Sequence, residues 1–225
     1  MSRSERFWGS VSDVIAAIEN HPFIRGLIDG SLRMDNFVFY IVQDALYLRE
    51  FSRALILASA KVENEQHRPT FLTHVMTISK VEEALHSTFL RRWGIDLDSQ
   101  EMSPTNIAYT SFLLRVACLE PFPEVISAIL PCYWVYMHMG GLLSKVGSPV
   151  TEYNAWISTY GGKEYEDSVK WIIATLDKLD VSKTQEDRML KHFRLATIYE
   201  YLFWDSATKN DKFPFPQNVN PSQTV

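Results

Sequence analysis

The chain has 225 residues, 46% hydrophobic and 22% charged, with a net charge of −5 at pH 7. That length can bury one sizeable core at an ordinary globular composition, so a single domain over residues 1–209 is expected. The acidic balance (sequence pI near 5.7) excludes the basic footprint of a nucleic-acid binder. The polar start MSRSERFWGS has no apolar signal region, and Cys118 and Cys132 form neither a disulfide framework nor a Cys-x-x-Cys motif, so the expected location is the cytoplasm.

Helical periodicity dominates from the start. Ser2-x-x-Glu5 reads as a capping box opening a helix through about Glu19, with Phe7, Trp8, Val11, Val14 and Ile15 on one face. His21-Pro22 breaks it, and a short helix ends near Asp29-Gly30. A long helical pattern covers about Met34 to Glu63, and a second, after Arg68-Pro69, covers Thr70 to Trp93. Gly94 to Ser103 reads as a loop, and Ser103-Pro104 supplies a cap and a first-turn proline for the next helix. Pro121 and Pro123 open a helix that contains Pro131, where a kink is expected one residue before Cys132. The stretch Val125 to Ser144 carries no Asp, Glu, Lys or Arg, but Pro131, His138 and Gly140-Gly141 interrupt it. A helix packed inside a protein, with no membrane span, is therefore expected. Tyr153 to Tyr160 is a short helix stopped by Gly161-Gly162, and Glu164–Lys178 and Ser182–Thr208 are the last two. Residues 210–225 are mostly polar with three prolines and read as a tail. The fold class is all-α: a multi-helix bundle with two long central helices.

Few residues in this pattern suggest chemistry. A cysteine on an apolar helix is most often an inert core residue, but Cys132 follows a helix-distorting proline and has Tyr136 one turn on, on the same face. Cys118, among Leu114, Ala117 and Phe122, is expected in the core. Asp44 and Tyr47 lie three apart on a helix whose other inward positions are apolar, and a carboxylate there must be paired, protonated or in contact with a ligand. Glu200 stands in the aromatic run Tyr199-Glu200-Tyr201-Leu202-Phe203-Trp204-Asp205. It shares a face with Phe203, which sets an acid beside a flat apolar surface suited to a planar heterocycle. Glu82-x-x-x-His86 has the spacing of a helical metal-ligand pair, but no second copy accompanies it. A structural pair is the better reading, and no metal or other cofactor is expected. His21, His67, His74, His138 and His192 have no partner recognisable from spacing. No phosphate-cradling glycine loop and no Gly-x-Ser-x-Gly elbow is present.

Taken together, six segments resemble the TenA family, also called thiaminase II: HPFIRGLIDGSL at 21–32, FYIVQDALYL at 39–48, YTSFLL at 109–114, ILPCYWVY at 129–136, WISTY at 156–160 and EYLFWD at 200–205. Each is weak alone. In family order, and with a Pro-Cys pair inside the fourth, they make a strong signal. The resemblance implies a haem-oxygenase-like helical fold without haem, and thiamin salvage by hydrolysis of an aminopyrimidine or, more slowly, of thiamin. It casts Cys132 as nucleophile, Glu200 as the acid that protonates the ring nitrogen, and Tyr47 as the hydroxyl that favours the sulfur's attack. Asp44 would hold the exocyclic amine, Tyr136 and Tyr160 would hydrogen-bond, the latter orienting Glu200, and Tyr109 and Phe203 would line or stack on the ring. A homotetramer is implied as well. Pro131-Cys132 resembles the cysteine-bearing branch of the family, as opposed to the branch that uses a glutamate elsewhere.

The chemistry of the residues agrees with the resemblance. An aminopyrimidine is poorly electrophilic until protonated, so addition needs a nucleophile and an acid at different edges of the ring. Two other readings compete: a metal-dependent oxygenase using Glu82 and His86, and a non-catalytic pyrimidine-binding regulator.

Overall fold

Among the described residues there are ten α-helices: α1 (Arg3–Gly9), α2 (Ser12–Glu19), α3 (Pro22–Asp29), α4 (Met34–Ala60), α5 (Arg68–Trp93), α6 (Pro104–Leu119), α7 (Phe122–Leu143), α8 (Thr151–Tyr160), α9 (Lys163–Lys178) and α10 (Lys183–Lys209). The computed structural model describes residues 1–62 and 68–217, with the side chains of residues 70, 71, 74, 77–79 and 81–86 left aside. No strand occurs among the described residues.

Local chemistry accounts for most of the boundaries. Ser2 and Glu5 form the reciprocal capping box of α1, Ser103 accepts from the Asn106 N–H at the start of α6, and Ser182 accepts from the Gln185 N–H at the start of α10. The single helix expected up to Glu19 is two helices. Gly9-Ser10 is a poor helical pair, and the Ser10 hydroxyl bonds to the Phe7 carbonyl while Val11 leaves helical geometry. Val11 still faces the core, so the apolar stripe continues across the break. The expected loop 94–103 contains a short 3-10 turn, Leu97–Ser99, capped by Asp96.

Helix α7 lies at the centre of the bundle, packed most extensively against α10 and also against α6, α8 and α9. It is long and apolar enough to cross a membrane by composition, yet it is mostly buried inside the bundle. Helix α4 packs on α5, α6, α7 and α10. Its end is tied to the end of α6, where Lys61 Nζ donates to the Cys118 carbonyl at 3.2 Å and the Glu120 carbonyl at 2.5 Å. Cys118 itself is exposed, not buried as expected. The last turn of α6 buries Val116 and Ala117 and turns the next position outward.

One crossing is unusually close. A Cβ on Gly140 of α7 would come within 2.4 Å of the Tyr160 backbone, so only glycine allows α8 to end where it does. Beyond α10 the chain folds back over α6: Asp211 accepts from the Thr105 N–H and hydroxyl, and the Gln217 side chain donates to the Met102 carbonyl.

Candidate functional site

Helices α4, α6, α7, α8 and α10 each turn polar or aromatic side chains toward one buried region. Successive inward turns of α4 carry Tyr40, Asp44 and Tyr47, all buried. Tyr109 comes from α6, Cys132 and Tyr136 from α7 one turn apart, Tyr160 from the end of α8, and Glu200 and Phe203 from α10. All eight residues singled out from the sequence are buried, and the contacts described below link them into one cluster.

The acid is the best-defined member. Tyr109 Oη donates to Glu200 Oε1 at 2.5 Å. Burial raises the Glu200 carboxyl from 4.5 to about 8; the Tyr109 hydrogen bond opposes the rise, and the negative charge of Asp44 adds to it. Glu200 therefore carries its proton at neutral pH. A carboxylic acid with that affinity, set among aromatic rings, is matched to proton transfer near pH 7.

Around the sulfur, Tyr47 is the neighbour that matters. Burial holds its hydroxyl well above the ordinary tyrosine value, and the Cys132 sulfur, Tyr109 and Glu200 add to the effect. Its oxygen couples to Cys132 and Tyr109 without closing a well-formed hydrogen bond to either. A neutral phenol beside a thiol can donate to the thiolate as it forms, which suits a cysteine remote from any helix N-terminus. The rings are arranged edge to face: Phe203 meets Tyr47 with centroids 5.6 Å apart and an interplanar angle of 64°. Tyr109 tilts against Tyr47 at 5.1 Å and is backed by Tyr199, stacked at 5.0 Å.

At the other end, Tyr40 and Tyr136 share a hydrogen bond of 2.9 Å between their hydroxyls. Burial raises both phenols, and Asp44 and Glu200 raise each further. Tyr160 lies against Tyr136, with ring centroids 4.9 Å apart. Tyr109, which the resemblance casts as a ring-lining residue, is also a hydrogen-bond donor to Glu200. Tyr40 lies within the helical pattern of residues 34–63 and is not among the site residues expected from the sequence. The signal that could have found it is the spacing Tyr40, Asp44, Tyr47, which places three polar groups on one inward stripe.

Other polar groups lie elsewhere. His21 accepts from the Phe23 N–H and caps α3, and His138 pairs with Glu19 at 2.6 Å. Among the described residues no three His, Cys, Asp or Glu side chains gather as a metal site. The Glu82 and His86 side chains lie outside the described residues. A cavity of about 620 Å³ opens between α4, the 95–103 segment and residues 210–217. Gln43 of α4 lines it, and it holds none of the cluster.

Residues 8–210 match the TENA/THI-4/PQQC family. The aminopyrimidine aminohydrolase of Bacillus subtilis is 33% identical over 198 residues, covering 85% of this chain and 83% of that protein. The thiamine biosynthesis multifunctional protein ThiED of Corynebacterium efficiens is 32% identical over 90% of this chain, which spans only 28% of that longer protein. Among solved structures, a TenA family transcription regulator from Silicibacter sp. TM1040 superimposes with a TM-score of 0.85 at 28% identity, covering 92% of this chain and 96% of that one. A domain with a heme oxygenase-like fold from Shewanella denitrificans superimposes with a TM-score of 0.75 at 12% identity, covering 93% of each chain. The fold is therefore haem-oxygenase-like.

Proposed function

Because the chain belongs to the TENA/THI-4/PQQC family, we propose that it is an aminopyrimidine aminohydrolase of thiamin salvage. It hydrolyses aminomethylpyrimidine, and thiamin more slowly, to hydroxymethylpyrimidine. The observation that carries this reading is the buried Glu200 acid, bonded to Tyr109 and set in one cluster with Cys132 and Tyr47.

Asp44 accepts a hydrogen bond from the exocyclic amine, Tyr136 and Tyr160 bind the polar edge, and Phe203 and Tyr109 bracket the ring. Glu200 gives its proton to a ring nitrogen as the Cys132 thiolate, aided by Tyr47, forms a bond to a ring carbon. The electron pair released into the ring expels the substituent from the exocyclic methylene. Ammonia leaves from aminomethylpyrimidine, and the thiazole from thiamin. Water then adds to the methylene and gives up its proton to the departed ammonia or to solvent, the sulfur–carbon bond breaks to restore the thiolate, and the ring proton returns to Glu200. With aminomethylpyrimidine the net reaction consumes one water and releases one ammonia. No step draws on a metal or other cofactor. We place the enzyme in the cytoplasm as a homotetramer.

Purified protein supplied with aminomethylpyrimidine should release hydroxymethylpyrimidine and ammonia in equal amounts. Cys132→Ser should lower that rate by about 10³-fold or more, since serine is a far weaker nucleophile at neutral pH. Cys118→Ser, changed on the exposed side of α6, is the control and should keep most of the activity. Turnover at the wild-type rate by the Cys132 variant would overturn the mechanism, and absence of product from wild type would overturn the function.

A further inference from the structure

Tyr40 has no part in the chemistry above, yet it bonds to Tyr136 and packs against Phe203 and Trp156. It is fully buried, and its hydroxyl lies 2.9 Å from the Tyr136 hydroxyl. Asp44 follows one turn later on α4, and its charge acts on both phenols. The Tyr40 ring meets Phe203 edge on, with centroids 5.9 Å apart and an interplanar angle of 86°. On its far side stands Trp156, centroid to centroid 6.0 Å away, whose indole N–H approaches the Tyr40 oxygen without closing a full hydrogen bond.

Either hydroxyl of the 2.9 Å pair can donate. An indole nitrogen can only donate, so the approach of Trp156 favours Tyr40 as an acceptor on that side and leaves its own proton available to Tyr136. With Tyr40 as the donor, the Tyr136 oxygen accepts and the Tyr136 proton is free for the substrate. With the Tyr40 hydroxyl removed, the Tyr136 hydroxyl loses this partner, and the direction of its proton is no longer held.

We propose that Tyr40 is a positioning residue that fixes the direction of the Tyr136 hydroxyl, through the ordered contacts Trp156, Tyr40 and Tyr136, and thereby sets recognition of the pyrimidine's polar edge. The inference rests on the aminopyrimidine reading and adds to it a residue that never meets the reacting atoms.

A double-mutant cycle tests it, with Tyr40→Phe, Tyr136→Phe and the pair, each read by steady-state kinetics on aminomethylpyrimidine and by calorimetric binding of hydroxymethylpyrimidine. Tyr40→Phe keeps the ring that packs against Phe203 and Phe23. It should lower kcat/KM about 10-fold, mainly through KM, and weaken hydroxymethylpyrimidine binding by a similar factor. In the Tyr136→Phe background the same change should cost no more than about twofold, because its route of action is already gone. Equal losses in both backgrounds, or no loss in the single variant, would overturn the positioning role while leaving the function standing. A wild-type protein that neither binds nor hydrolyses these pyrimidines would overturn the function itself, and the inference with it.

Discussion

Glu200 concentrates the physics of the site in one residue. Its proton affinity makes stability depend on pH in a definite sense. The folded value is raised from 4.5 to about 8, so the cost of burying the carboxyl is absent below 4.5 and grows as the unfolded chain ionises. It is complete above about 8, at on the order of 5 kcal/mol for a shift of that size. Glu200→Gln keeps the shape and can still accept from Tyr109, but it carries no titratable proton. The variant should therefore match wild type in thermal melts near pH 5 and melt higher than wild type near pH 9. It should also bind hydroxymethylpyrimidine while losing most turnover. Unchanged kcat, or no pH-dependent difference in melting, would reassign the acid, with Asp44 the next candidate. Glu200 and Asp44 stand out in the sequence because each sets a carboxylate on an apolar helical stripe, and Cys132 because it follows Pro131 and shares a face with Tyr136. Tyr40 does not, because a tyrosine on such a stripe satisfies the apolar pattern and its hydroxyl leaves no trace in periodicity. Cys118 misled for a related reason: apolar neighbours in sequence do not tell which way the last turn of a helix faces.

Most element boundaries were legible because they are written in caps: Ser103-Pro104 and Ser182 open helices where the side chains reach the third backbone N–H. The break between α1 and α2 was not, since the hydrophobic stripe runs straight across it and only the Gly9-Ser10 pair hints at a stop. Least legible of all was the role of Gly140, which reads as an interruption of an apolar helix but serves as the seat of α8. Gly140→Ala would force its new methyl into the Tyr160 backbone, now 2.4 Å from that position, and neither partner is a flexible side-chain end. It should destabilise the fold by about 1–3 kcal/mol, the usual cost of overpacking. By moving Tyr160 relative to Tyr136 it should also raise KM for aminomethylpyrimidine. Gly141→Ala is the matched control, because a Cβ there meets nothing within 4 Å. Equal melting temperatures for the two variants would contradict the close crossing.

Across the whole molecule, the architecture was readable because most of it is helical and its most apolar helix, α7, is its centre. What the sequence conceals at this scale is which apolar surface remains outside. Ile56, Leu72, Met76, Leu119, Val146 and Phe215 are exposed in the single chain, an excess that suits burial against other copies. Light scattering should give a mass near four times 26.0 kDa, and a value near 26.0 kDa itself would contradict the tetramer.

The packing of Trp156 and Trp204 around Tyr136 has an optical consequence. Both indoles are fully buried, and their ring centroids lie 6.0 Å and 5.5 Å from that of Tyr136. Shielded from water, they emit toward the blue, and a pyrimidine bound beside Tyr136 as proposed should change the surroundings of two fluorophores at once. Titration with hydroxymethylpyrimidine should then shift the protein's own emission, and an unchanged spectrum would count against binding at Tyr136.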